Sequence, residues 1–171
     1  MTTHEQFSIL GAVTLAMFLG GLIGAERQLA DKPVGLRTHM LIAGAAALLT
    51  AIGNTLLENA HAFQGDAVRA DPLRIIEAVI TGISFIGAGT ILRTHRSERV
   101  EGLTTAASIL YSAALGICVA RRLYVLAVGI TLLALLVLRA MGAVEQRLER
   151  RLHLREKQAD AGANKTGKPL A

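Results

Sequence analysis

Five apolar stretches, each long enough to cross or nearly cross a bilayer, are separated by gaps whose lysines and arginines fall mainly on alternate sides. Charge-free runs extend over Gln6–Ala25, Thr38–Leu57, Ala78–Leu92, Leu103–Ala120 and Leu123–Leu138. A hydrocarbon layer about 30 Å thick is crossed by roughly 20 helical residues at about 1.5 Å each. The first two runs reach that length. Ile75 and Ile76 extend the third across Glu77, and Arg93, Arg121, Arg122 and Arg139 at the ends of the shorter runs can snorkel to the headgroups. The pattern predicts an all-α polytopic membrane protein, a bundle of five transmembrane helices over about 6–25, 38–57, 75–92, 103–120 and 123–138.

Composition agrees with a lipid solvent. The chain is 52% hydrophobic but only 4% aromatic, with no Trp, so Ala, Leu, Ile and Gly fill the spans. Lipid tails are as oily as leucine, and helices in lipid associate through close packing of small residues instead of hydrophobic exclusion. The net charge of +5 does not point to nucleic acid, because the basic residues flank spans and lack an interleaved aromatic platform. Cys118 is the one cysteine and lies inside the fourth span, which excludes an intrachain disulfide. The MTTHE before the first span lacks the basic start of a secretory signal, so that span is expected to be retained. Of the 18 Lys and Arg residues, four lie on one side and fourteen on the other. The positive-inside rule places the N-terminus outside and the C-terminus inside.

The expected organisation is a transmembrane domain over 1–138, a basic helical extension over 139–158 and a disordered tail over 159–171. Val144, Leu148 and Leu152 recur at helical spacing in the extension, read as a solvated charged helix in preference to one lying on anionic lipid. Asp71 is a fair N-cap for the third helix, with Pro72 at its first position. An internal echo pairs Leu22-Ile23-Gly24-Ala25 with Phe85-Ile86-Gly87-Ala88, and Gly35-Leu36-Arg37-Thr38 with Gly102-Leu103-Thr104-Thr105. The two units read as parallel repeats about an axis along the membrane normal, or as chance similarity in a chain rich in Gly, Ala and Leu.

Candidate functional residues gather near the cytoplasmic helix ends. Gly20 and Gly24 make a GxxxG spacing, and Gly82, Gly87 and Gly89 crowd the third span. Close helix crossing is the preferred role; the alternative is an unwound segment at Gly87-Ala88-Gly89 whose free carbonyls line a cavity. Interfacial anchoring accounts for Glu26, Arg27, Arg37 and Arg93; the sharper expectation is that Glu26 pairs with Arg37, with the Thr38 and Thr104 hydroxyls nearby, as a polar cluster between the repeats. Glu77 is expected to pair with Arg74. A magnesium site needs carboxylates with retained waters, and no spacing here specifies one. The five histidines make no zinc pattern. No nucleophile elbow, Walker loop or intramembrane protease pair is present in the sequence, so an enzyme is not expected.

Three ordered blocks carry a resemblance. GGLIGAERQLADKPVGLRTHMLIAGAAAL, DPLRIIEAVITGISFIGAGTILR and VEGLTTAASILYSAALG, between about Leu19 and Leu138, resemble the MgtC/SapB family of bacterial membrane proteins. The resemblance implies a cytoplasmic-membrane protein with a five-helix domain, of a kind often described as a candidate magnesium transporter. Several members are associated with magnesium limitation, acid stress or survival in a host, and the best-known act on other membrane proteins, including the ATP synthase. The matching positions are Glu26, Arg27, Gly35, Leu36, Arg37, Thr38, Gly82, Gly87, Gly89, Gly102, Leu103, Thr104 and Thr105. Two departures stand out. The tail is too short for the folded cytosolic domain of longer members, and Ile109 and Leu110 stand where many relatives place an aromatic, so that contact is absent or falls to Tyr111.

The sequence therefore predicts a multi-pass inner-membrane protein, oligomeric or bound to other membrane proteins, with no cofactor beyond a link to magnesium. Its expected role is a non-enzymatic regulator or accessory factor in magnesium homeostasis and stress adaptation; the alternative is a magnesium or other cation transporter.

Overall fold

The computed structural model describes residues 2–63, 72–92 and 102–142. Those residues form α1 (Thr3–Leu29), α2 (Leu36–Phe63), α3 (Pro72–Leu92), α4 (Leu103–Ala120) and α5 (Tyr124–Gly142). All five are long and apolar enough to cross a membrane, and among the described residues there are no strands. The protein is a multi-pass helical membrane protein. The chain forms two compact units, Met1–Leu135 and Leu136–Ala171. Of the second, the described residues are the last turns of α5. The expected Asp71 cap, Arg93, the extension beyond Gly142 and the tail lie outside the described residues.

Local chemistry sets the helix ends. α1 starts three residues before the apolar run, because Thr2 and Glu5 make a capping box: Glu5 accepts from the Thr2 amide at 2.7 Å and Thr2 Oγ1 from the Glu5 amide at 3.4 Å. α1 and α4 close with the same pattern. The Lys32 amide donates to Arg27 and the Leu123 amide to Cys118, around left-handed residues Asp31 (φ 55) and Arg122 (φ 61). Gln28 reaches past the first turn, and its Oε1 accepts from the Leu36 amide at 3.3 Å to open α2. Gly102 opens α4 at φ 92, a conformation that a side chain would strain.

α2 and α4 occupy the middle of the first unit. They pack on each other, and each also packs on both α1 and α3. Ile42 and Ala46 of α2, Val79 and Ile83 of α3, and Ile109, Ala113 and Ile117 of α4 form the core where these three helices meet. α2 and α4 run parallel. His39 meets Ser108 near their starts, Ala43 meets Gly116 in the middle, and Asn54 accepts from Arg121 Nη1 at 3.3 Å near their ends. The hairpins α1–α2 and α3–α4 therefore point the same way, as parallel repeats require. Their inner contacts correspond as well. A methyl on Gly24 would stand 2.9 Å from the Cβ of His39, four residues after Gly35, and one on Gly87 would stand 3.6 Å from the Cβ of Ala106, four residues after Gly102.

Phe7, Phe18, Leu41, Phe85, Val125 and Leu132 are among many large apolar side chains left on the outside, where acyl chains take the place of a protein interior. Tyr111 of α4 donates to the Ile130 carbonyl of α5 at 2.9 Å.

Candidate functional site at the α1–α2 turn and the start of α4

The buried face of α1 runs through Ala16, Gly20, Ile23 and Gly24 and ends in Arg27, whose position on that face draws a guanidinium into the bundle. Arg27 is only 4% exposed. Its Nη1 lies 3.8 Å from Glu26 Oε2, while Arg27 Nε and Glu26 Oε2 find no hydrogen-bond partner among the described residues. The expected partner, Arg37, is exposed on the first turn of α2 and makes no ion pair among the described residues. The Glu26–Arg37 pairing is thereby replaced by Glu26–Arg27. The physical reason is the helix period: Arg27 falls on the packed face of α1, and Arg37 falls on the outward face of α2.

His39, fully buried, is the centre of the cluster and was not singled out by the sequence. Its Nδ1 lies 2.9 Å from the Gly35 carbonyl, and its Nε2 lies 3.0 Å from Ser108 Oγ on α4. Ser108 Oγ also donates to the Thr105 carbonyl at 2.8 Å, and Ser112 Oγ donates to the Ser108 carbonyl at 3.0 Å. Arg27 lies within electrostatic reach of the imidazole. Of the predicted threonines, Thr105 is buried and belongs to this cluster, whereas Thr38 and Thr104 face outward. A signal for the missed pair existed: His39, Ala43, Ala46 and Thr50 make one helical face, as do Thr105, Ser108, Ser112 and Gly116. A histidine on an otherwise small-residue face inside a span needs a partner.

The glycines divide into three kinds. At Gly20 an added methyl would stand 2.6 Å from Ala43 Cβ and 2.8 Å from the His39 carbonyl, and at Gly24 one would stand 2.7 Å from Leu36 Cα. These two are the tight crossing of α1 on α2. Gly35 is pressed against Gln28, and Gly102 is needed for its backbone angle. Gly82 and Gly89 have nothing within 4 Å, and Gly82 borders an apolar groove between α2 and α3. The unwound segment at Gly87-Ala88-Gly89 is not formed: α3 is helical to Leu92, Gly87 faces Ala106, and Thr90 Oγ1 donates to the Gly87 carbonyl at 2.7 Å. Close contacts at Gly44, Gly53 and Gly116 were not anticipated.

At the opposite end, His4, Glu5, Asn54, Glu58, Arg121 and Arg122 line a hollow of about 430 Å³. Acidic and basic groups face it together. Glu77 is exposed in the first turns of α3 and makes no ion pair with Arg74 among the described residues. Among the described residues no three His, Cys, Asp or Glu side chains converge on one point.

Residues 13–147 match the MgtC family. The chain is 40% identical over 134 residues to YhiD of Escherichia coli (strain K12), named as a candidate magnesium transporter, a match covering 78% of this chain and 60% of that one. It is 38% identical over 117 residues to Protein SapB of Bacillus subtilis (strain 168), covering 68% and 49%. Protein MgtC of Salmonella typhimurium (strain LT2) is 39% identical over 102 residues, covering 60% and 38%. The matched region thus amounts to about three fifths or less of these relatives' lengths. No solved structure matches. With the family's segment spread over all five helices, the chain belongs to the MgtC family.

Proposed function

We propose that this protein is a non-enzymatic regulatory or accessory protein of the bacterial inner membrane, linked to magnesium homeostasis and stress adaptation, with its N-terminus outside and its C-terminus inside. It works by contact with another membrane protein or a second copy, and needs no cofactor or nucleic acid. One observation carries this reading: His39 bonds Ser108 and Ser108 bonds the Thr105 carbonyl between the two hairpins, while Gly116 closes on Ala43 beyond them. Such an interface holds helices in register. The names of the relatives supply the link to magnesium. Arg37, exposed on the first turn of α2 on the Lys- and Arg-rich side, is the residue assigned to partner contact.

Purified protein in liposomes loaded with a magnesium dye tests this. The expected result is no flux above empty liposomes, together with loss of complementation by a well-expressed Arg37→Ala variant under magnesium limitation. Saturable uptake that disappears in Glu26→Gln or Glu77→Gln would replace the regulator by a cation transporter.

A further inference from the structure

Three hydrogen bonds meet at His39 and Ser108, and they require three protons. The Gly35 carbonyl, 2.9 Å from His39 Nδ1, can only accept, so Nδ1 carries a proton. The Thr105 carbonyl, 2.8 Å from Ser108 Oγ, also only accepts, so the hydroxyl proton is committed to it. The third contact, 3.0 Å between His39 Nε2 and Ser108 Oγ, then exists as a bond only when Nε2 carries its own proton. A neutral imidazole and one hydroxyl supply two protons, one short of the number needed. The imidazolium supplies the third.

We propose that His39 and Ser108 form a proton-operated latch between the hairpins α1–α2 and α3–α4. A proton taken from water at Nε2 lets all three bonds form together, with Nε2–H donating to Ser108 and Ser108 donating to Thr105. Loss of that proton turns the Ser108 hydroxyl away from Thr105 and onto Nε2. The bond between α2 and α4 survives in both states, but its direction reverses, and it is charge-assisted in one of them. Both residues are buried, at 0% and 6% exposure, in the first turns of helices that Gly116 holds against Ala43, so the reversal acts on the seam between the two hairpins and not on a free side chain.

The charged groups around the latch are few. α1 contributes Glu26 and Arg27, 3.8 Å apart; α2 itself carries exposed Arg37, and the turn before it carries exposed Asp31 and Lys32. The buried face of α4 adds the hydroxyls of Thr105, Ser108 and Ser112, its titratable Tyr111 and Cys118 lie farther along the helix, and the charges of α3, Arg74 and Glu77, sit in its first turns at the far end. The Arg27 cation, on the buried face of α1 that packs against His39, opposes a second positive charge there. This inference stands apart from the regulatory reading above and does not require it.

The full-length protein, labelled at histidine nitrogens and threonine carbonyls and reconstituted in bilayers, tests it by solid-state NMR between about pH 4 and about pH 9, a range that brackets ordinary histidine titration. The expected result is that Nδ1 stays protonated while Nε2 of His39 titrates, and that the Thr105 carbonyl signal moves with the same midpoint. Ser108→Ala should leave the carbonyl silent while His39 still titrates, and Arg27→Gln should move the midpoint. A His39 held in one protonation state throughout, titration at Nδ1, or a Thr105 carbonyl that ignores the change would overturn the proposal. The wild-type spectra decide this even where a variant does not fold.

Discussion

The backbone carbonyl of Ala43 on α2 lies directly against Gly116 on α4, so close that a methyl at position 116 would overlap the oxygen. Here α2 and α4 pack closely, between the His39–Ser108 bond at one end and the Asn54–Arg121 bond at the other. Because both helices run the same way, this contact fixes their register along the membrane normal. It accounts for a buried face of α4 built from small side chains, Ser112, Ala113 and Gly116, beside fully buried Leu115 and Val119.

Gly116→Ala should therefore destabilise the bundle by an amount near the upper end of the about 1–3 kcal/mol typical of overpacking, because the obstacle is backbone and cannot rotate away. Gly129→Ala, which has nothing within 4 Å, is the matched control. Thermal unfolding of both variants in the same detergent checks this; equal midpoints would mean that α2 and α4 are farther apart than described.

A second contrast separates packing glycines from idle ones. Gly24→Ala places a methyl 2.7 Å from Leu36 Cα and should cost about 1–3 kcal/mol, whereas Gly82→Ala and Gly89→Ala meet nothing and should leave stability unchanged or slightly improved. Competition between folded and protease-sensitive fractions in bilayers reads the difference. A Gly82→Ala loss as large as that of Gly24→Ala would show that the α2–α3 groove is filled by another body in the membrane.

The five spans were legible because hydropathy and helix length are properties of the chain alone, and the Gly20–Gly24 crossing was legible because GxxxG places two glycines on one face. The start of α1 at Thr3 was also written in the sequence, as the Thr2–Glu5 box, but an apolar run alone hides it. The partner of Glu26 was not legible: Arg27 adjoins it in the chain and Arg37 lies across the turn at the start of the next helix, and the choice rests on which helix face is buried. The role of His39 is hidden in the sequence for a related reason. Its partner Ser108 is 69 positions away, on a helix whose rotation only packing determines.

Glu26 and Arg27 should behave as a coupled pair in a double-mutant cycle. Removing Arg27 leaves the largely buried Glu26 carboxylate without its 3.8 Å neighbour, so Arg27→Ala and Glu26→Gln should show a coupling energy of about 0.5–3 kcal/mol. Arg37→Ala, at an exposed site, should change stability by no more than about 0.5 kcal/mol and show no coupling to Glu26. Chemical unfolding of the four species in the cycle, repeated with Arg37 in place of Arg27, discriminates the pairs. Coupling of Glu26 to Arg37 alone would restore the pairing expected from the sequence.

Arg122 offers a change in the other direction. It stands at φ 61 in the turn between α4 and α5, where its Cβ crowds the backbone, and its amide already bonds the Val119 carbonyl at 2.9 Å. Glycine adopts this conformation without that crowding, so Arg122→Gly should stabilise the protein by about 1 kcal/mol. Asp31 occupies the matching position after α1 at φ 55, but aspartate tolerates the left-handed region, and Asp31→Gly should gain less. Melting temperatures of the two variants, measured at one detergent and salt concentration, test the ranking. A loss of stability in Arg122→Gly would mean that the arginine side chain contributes more at the rim of the polar hollow than its backbone strain costs.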